Sequence, residues 1–162
     1  MISFTTKVNT KGKILTQKPS RLKRTTLREY HALLTTACMR IRKSAVQNAP
    51  TNFGLLRASI GYDVYGLTGE VSTNLIYSLP MEFGTKPHFP QVGALDLWVE
   101  RKLGIKGSRE IRRVAYAVSL GISAHGLAEH RYFRDAFALE FPHIRKDFER
   151  MGIRLRDDFS RD

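Results

Sequence analysis

Leu56-Arg57-Ala58-Ser59-Ile60-Gly61-Tyr62-Asp63-Val64 is the stretch on which the fold turns. Leu56, Ala58, Ile60, Tyr62 and Val64 alternate with Arg57, Ser59, Gly61 and Asp63, the two-residue period of a half-buried strand. Gly66 to Gly69 supplies a short turn, and Glu70 to Leu75 returns with Val71, Thr73 and Leu75 on one face. The pair predicts an antiparallel hairpin.

Upstream of it, Leu27, Tyr30, Leu34, Ala37, Ile41 and Ala45 recur at spacings of three and four, one apolar stripe of a long helix. Thr26-x-x-Glu29 fits a capping box at its start, and Pro50 ends it by biasing Ala49 out of the helical region. Downstream, Gly84, Pro87, Pro90 and Gly93 mark an irregular loop. Val92, Leu95, Val99 and Leu103 predict a short helix carrying Trp98 and ended by Gly104. Ser108 opens another helix with the stripe Ile111, Val114, Ala115, Val118 and Ile122. Phe133, Phe137, Phe141, Ile144, Phe148 and Met151 form a last stripe, which Pro142 is predicted to kink or divide. The predicted class is α+β: a long N-terminal helix packed on a small antiparallel sheet, with additional C-terminal helices.

The chain has 162 residues, enough for one ordinary domain. Hydrophobic residues make up 42% and charged residues 26%, the globular range, which excludes disorder along most of the length. Lys and Arg number 27 against 15 Asp and Glu, a net charge of +12 that suggests an anionic partner. The excess is uneven. No acid precedes Glu29, whereas Lys7, Lys11, Lys13, Lys18, Arg21, Lys23, Arg24 and Arg28 do. Residues 1–24 therefore read as a basic N-terminal arm, 25–152 as the α+β domain and 153–162 as a charged C-terminal tail. Within the arm, Ile2, Phe4 and Val8 alternate as an added strand would. A second cluster, Arg101, Lys102, Lys106, Arg109, Arg112 and Arg113, is dispersed around a helix axis and reads equally well as a solvated face. No apolar run approaches a membrane span and no signal-peptide core is visible, so a chain starting in the cytosol is expected.

Candidate chemistry is sparse. His31, His88, His125, His130 and His143 show no helical zinc spacing and read as ordinary histidines. Cys38 lies mid-helix, a place for inert packing rather than for a nucleophile. Neither a Gly-x-Ser-x-Gly elbow nor a phosphate loop occurs, and no two carboxylates are paired by spacing. The phenylalanine series at helical spacing reads as core or subunit interface rather than as a base-stacking platform. The residues point to no enzyme, no cofactor and no metal.

Two segments carry a resemblance. Ala49-Pro50-Thr51-Asn52-Phe53-Gly54-Leu55-Leu56-Arg57-Ala58-Ser59-Ile60 enters the hairpin, and Tyr77-Ser78-Leu79-Pro80-Met81-Glu82-Phe83-Gly84-Thr85-Lys86-Pro87-His88-Phe89-Pro90 leaves it. In that order, after a long helix, they resemble the tailed-bacteriophage morphogenesis family of neck or tail-completion proteins, the group with minor tail proteins of the lambda Z type. Val92 to Ile105 is similar to a subset that inserts helices before the last one, and Gly126 through Ala136 approximates the family's late aromatic signal. The likeness spans about residues 26–150 and leaves the arm outside. Phe53 stands where a Thr is usual, and Pro80 where a strand residue is, which predicts an edge or bulged third strand.

The resemblance implies a structural virion protein at the phage head–tail junction, assembled in the host cytoplasm. It would form a homo-oligomeric, hexameric ring that joins the tail to the DNA-filled head. Its partners would be head-completion or connector proteins and tail-terminator or tail-tube proteins, with DNA in the neck lumen and no membrane. Tyr77, Met81, Phe83 and Phe89 are the candidate subunit interface, since they would otherwise form an exposed patch. Lys11, Lys13, Lys18, Arg21, Lys23 and Arg24 would face an acidic partner or the DNA. Gly54 and Gly84 would permit a backbone conformation or close approach that a side chain forbids, while Glu82 and Thr85 would satisfy backbone N–H groups in an irregular loop. The alternative function is sequence-independent nucleic-acid binding, which charge alone would permit.

Overall fold

The structure is a computed structural model and describes residues 2–6, 21–51 and 54–159. Its elements are β1 (Ile2–Thr6), α1 (Arg21–Asn48), α2 (Leu55–Ser59), β2 (Gly61–Tyr65), β3 (Thr68–Thr73), α3 (Ser78–Phe83), a 3-10 turn (Val92–Leu95), α4 (Asp96–Leu103), α5 (Ser108–His125) and α6 (Tyr132–Phe159). Helix α1 packs against one face of the sheet and against α6, as an α+β fold with a long first helix requires.

The stripe of α1 is core from Leu34 onward. Leu34, Ala37, Cys38, Ile41, Ala45 and Ala49 are buried, and a fully buried Leu or Ile contributes about 1.5–3 kcal/mol. The helix begins at Arg21, before Thr26, so Thr26 lies inside the helix rather than capping it, and Leu27 is exposed. At the other end the helix closes before Pro50, as predicted. Cys38 is packed inertly, and desolvation pushes its thiol pKa up. It lies over Gly69, where a Cβ would overlap Cys38 Sγ, so this glycine lets α1 settle onto β3.

The deciding stretch splits in two. Leu56 and Ile60 are buried four residues apart and Ala58 is exposed, so residues 55–59 form the short helix α2 and not a strand. The strand starts at Gly61, where Tyr62 and Val64 pack against the core while Gly61, Asp63 and Tyr65 are exposed. The hairpin itself is present, with Tyr62 opposite Val71 and Val64 opposite Gly69. Its turn is Gly66-Leu67 alone, and Thr68 and Gly69 already belong to β3. Strand β1 pairs antiparallel with β3 on the far side, giving the order β1-β3-β2.

The two chain ends differ from the predicted division. Residues 2–6 join the sheet of the same chain rather than leaving as an arm, and residues 21–24 are helical. At the other end α6 runs through Gly152, so residues 153–159 belong to the helix and not to a tail. Pro142 neither divides nor ends it. Ala138, whose carbonyl Pro142 cannot pair, is exposed, so water can satisfy it. Phe133, Ile144 and Met151 of the stripe are buried along α6, Phe137 and Phe148 are partly buried and Phe141 is exposed, while Ala136, outside the stripe, is buried.

The predicted third strand is a helix, α3. Pro80 sits in its first turn, where the missing N–H is one that no helical partner would accept. The 3-10 turn, α4 and α5 pack on one another around Val99, Ala115, Ser119 and Ile122. Gly104, at φ 69°, ends α4 as predicted. Among the described residues this helical hairpin contributes no side chain to the main core.

Candidate functional site

The resembling segments are both joints. In the first, Gly54 has φ 75° and precedes α2, a left-handed conformation that favours glycine. Arg57 then reaches back to the C-terminal end of α1, its Nε donating to the Ala49 carbonyl at 2.9 Å and its Nη2 to the Gln47 carbonyl at 3.3 Å. A cation on those last carbonyls also offsets the helix dipole. Ser59 Oγ lies 2.6 Å from Thr73 Oγ1, tying α2 to β3.

In the second joint Glu82 is fully buried. Its Oε2 accepts the Phe133 N–H and its Oε1 the Arg134 N–H, both at 2.9 Å. These are donors of the first turn of α6, so a carboxylate some fifty residues upstream in the chain caps that helix, where a negative charge is favoured. The backbone supports the same contact: His130 N–H donates to the Met81 carbonyl and Arg131 N–H to the Glu82 carbonyl. Arg131 takes φ 49° at the turn into the helix. Beside the carboxylate, the Tyr132 hydroxyl is buried with no hydrogen bond of normal geometry. Burial, and then the Glu82 charge, push its pKa up to about 12, with nearby Ser78 acting weakly in the opposite direction.

Gly84 and Thr85 complete the joint. Thr85 and Leu127 exchange backbone hydrogen bonds at 3.0 and 3.3 Å, and Thr85 Oγ1 also accepts the Leu127 N–H at 3.1 Å. Gly84 (φ 70°, ψ −174°) and Gly126 (φ 73°, ψ −161°) flank this bridge in a region essentially restricted to glycine. A Cβ on Gly84 would overlap the Leu127 carbonyl oxygen, and one on Gly126 the Thr85 carbonyl oxygen. Gly54 and Gly84 occupy conformations a side chain disfavours, while the N–H groups that Glu82 and Thr85 satisfy belong to the first turn of α6 and to Leu127 rather than to the irregular loop itself.

The predicted interface residues divide. Tyr77, Phe83 and Phe89 are exposed, whereas Met81 turns inward against the core. Phe83 lies under the Arg134 guanidinium, 5.9 Å from ring centroid to Cζ. Phe89 stands apart from α3, its ring edge-on to Tyr116 of α5 at 6.1 Å. Sequence reasoning missed Ile76, 92% exposed, and Leu79, also exposed. A β-like reading of that segment hid them: on a short helix Leu79 and Phe83, four apart, share a face. Ile76, Tyr77, Leu79 and Phe83 are thus four exposed apolar side chains within eight residues, an apolar rim along a segment that the Glu82 joint holds in place.

Of the predicted basic contacts, Lys11, Lys13 and Lys18 lie outside the described residues, and Arg21, Lys23 and Arg24 lie at the start of α1. In the second cluster Arg112 pairs with Asp96 at 2.8 Å and Arg113 with Glu110 at 2.7 Å, while Lys102 Nζ is 3.5 Å from the Thr51 carbonyl. An open groove of about 480 Å³ between α1 and α6 is lined by Leu33, Asp147, Arg150, Ile153 and Arg154. Among the described residues no group of three or more His, Cys, Asp or Glu side chains is placed to hold a metal. No described helix is long and apolar enough to cross a membrane. No protein-family model, no curated protein and no solved structure matches the chain.

Proposed function

We propose that this chain is a structural subunit of the neck or tail end of a tailed-bacteriophage virion, forming a homo-oligomeric ring that joins the tail to the DNA-filled head. The observation that carries the proposal is the apolar rim Ile76, Tyr77, Leu79 and Phe83, on a segment locked to α6 by Glu82. Four large apolar side chains presented together favour burial against a second protein surface. The order of motifs supports the same reading, since the residues that resemble the phage family are those that build the two joints. Glu82, buried and committed to two N–H groups, is a structural carboxylate. The occupant of the rim is a neighbouring copy in the ring, which is hexameric by resemblance, with head-completion and tail proteins above and below.

Negative-stain imaging and native mass spectrometry, with and without DNA, test the proposal. Rings, or docking onto a ring of neck proteins, are expected. A monomer or dimer that stays so in assembled particles and binds DNA with strong salt dependence would replace this reading by sequence-independent nucleic-acid binding.

A further inference from the structure

The sheet has two outer edges, β1 and β2, and among the described residues neither pairs beyond β3. Their hydrogen-bonding sides follow from the turn. Gly66-Leu67 is a two-residue hairpin loop with Gly66 at φ 55°, which makes Tyr65 and Thr68 a hydrogen-bonded pair. Alternation then assigns Asp63 with Glu70 and Gly61 with Ser72 to the same class. The N–H and C=O groups of Tyr62 and Val64 therefore point away from β3. By the same count Gly69, Val71 and Thr73 bond to β1, which leaves the backbone groups of Ser3 and Thr5 pointing outward on the other edge.

We infer that the outer edge of β2 pairs with β1 of a second copy of this chain, so that the sheet continues from subunit to subunit. The inference rests on the ring reading above and names a contact within that ring. Three observations select this occupant. A two-fold pairing of β2 with β2 that uses both Tyr62 and Val64 centres on Asp63 and sets two Asp63 carboxylates opposite each other, where like charges oppose pairing. β1 carries no charged residue and has the same five-residue length as β2. Both strands run antiparallel to β3 and so in one direction, which lets a rotation about an axis along the strands seat β1 of the next copy parallel to β2. Such a contact is head-to-tail, satisfies both edges of every subunit and closes as a ring. β2 also lacks the lysine, proline or bulge that usually blunts an edge.

The test uses the full chain. Val64→Pro removes one outward N–H of β2 and Ser3→Pro one of β1, each on an edge where proline spares the internal ladder. Both variants should keep a cooperative melt and lose the ring in native mass spectrometry. In a Cys38→Ala background, chains carrying Asp63→Cys mixed with chains carrying Ser3→Cys or Thr5→Cys should form an inter-chain disulfide under a mild added oxidant. Neither kind of chain should form it alone. This arm holds even if a proline variant fails to fold. Rings that persist in both proline variants without the mixed disulfide would overturn sheet continuity while leaving the ring intact. Disulfides from Asp63→Cys chains alone would mean two-fold pairing and also overturn it. A wild-type chain that is monomeric even in assembled particles overturns the ring reading first, and this contact with it.

Discussion

Arg57 holds the carbonyl of Ala49 at 2.9 Å, so the residue that opens the hairpin region also closes the helix before it. The joint was visible in the sequence only as Gly-Leu-Leu-Arg, because nothing in a linear string says that an arginine turns back eight residues.

Arg57→Ala should therefore destabilise the subunit by about 1–3 kcal/mol, the sum of two hydrogen bonds to carbonyls and a share of the dipole term. Thermal melting should show a midpoint lower by about 2–4 °C per kcal/mol lost. Lys at this position should recover only part of it, having no planar fork to span two carbonyls.

Gly84→Ala and Gly126→Ala should be far more damaging than Gly104→Ala. All three positions have positive φ, but only the first two also place a Cβ onto a backbone carbonyl, whereas nothing lies within 4 Å of a Cβ at Gly104. Gly104→Ala should cost about 1 kcal/mol. The other two should exceed about 3 kcal/mol, read as loss of soluble, cooperatively melting protein.

Tyr132 gives a pH prediction. Its folded pKa, pushed up to about 12, stands above its ordinary 10.0, so the fold favours the neutral phenol. That contribution is complete below about pH 10 and disappears as pH rises through about 12, on the order of 1–3 kcal/mol. Tyr132→Phe should flatten the loss of stability across this window. At neutral pH it should change stability by less than about 1 kcal/mol, since the hydroxyl it removes makes no hydrogen bond of normal geometry. Denaturant melts at pH 7, 10 and 11.5 measure both effects.

Ile76→Asp should leave the monomer's melting within about 0.5 kcal/mol of wild type, because its side chain is 92% exposed, and Phe83→Asp should cost somewhat more, because the half-exposed ring also packs under Arg134. They should abolish ring formation if the rim is a subunit contact, as native mass spectrometry would show. Ile41→Asp, which buries an unpaired charge in the core, should instead unfold the subunit.

The sequence exposed the main helices and the hairpin because their apolar periods are long. Two short elements, α2 and α3, escaped it for physical reasons that can be named. Leu56 and Ile60 satisfy a period of two and a period of four equally well, and only the exposure of Ala58 separates them. Pro80 is compatible with an edge or bulged strand and equally with a helix's first turn, so it points to an irregular third strand without announcing α3. Glu82 and Thr85 were legible as donors' partners. What they meet, Phe133, Arg134 and Leu127, lies more than forty residues away and only folding brings it there. An extended segment would place Met81 in the exposed patch, and its inward direction depends on α3 being helical.

The Thr85–Leu127 bridge has a consequence for how this chain can be rebuilt. Residues 86–126 leave and re-enter the body through adjacent strands of backbone, and none of their side chains is counted in the main core. A segment with touching ends and its own small core is exchangeable. It can be deleted for a tight two-residue loop, or replaced by a foreign domain whose termini lie close together, without opening the body. The joint between Glu82 and α6 would remain, because its donors and acceptors all lie outside the excised stretch. That would make the helical hairpin a cassette whose length and surface can be engineered without touching the Glu82 joint.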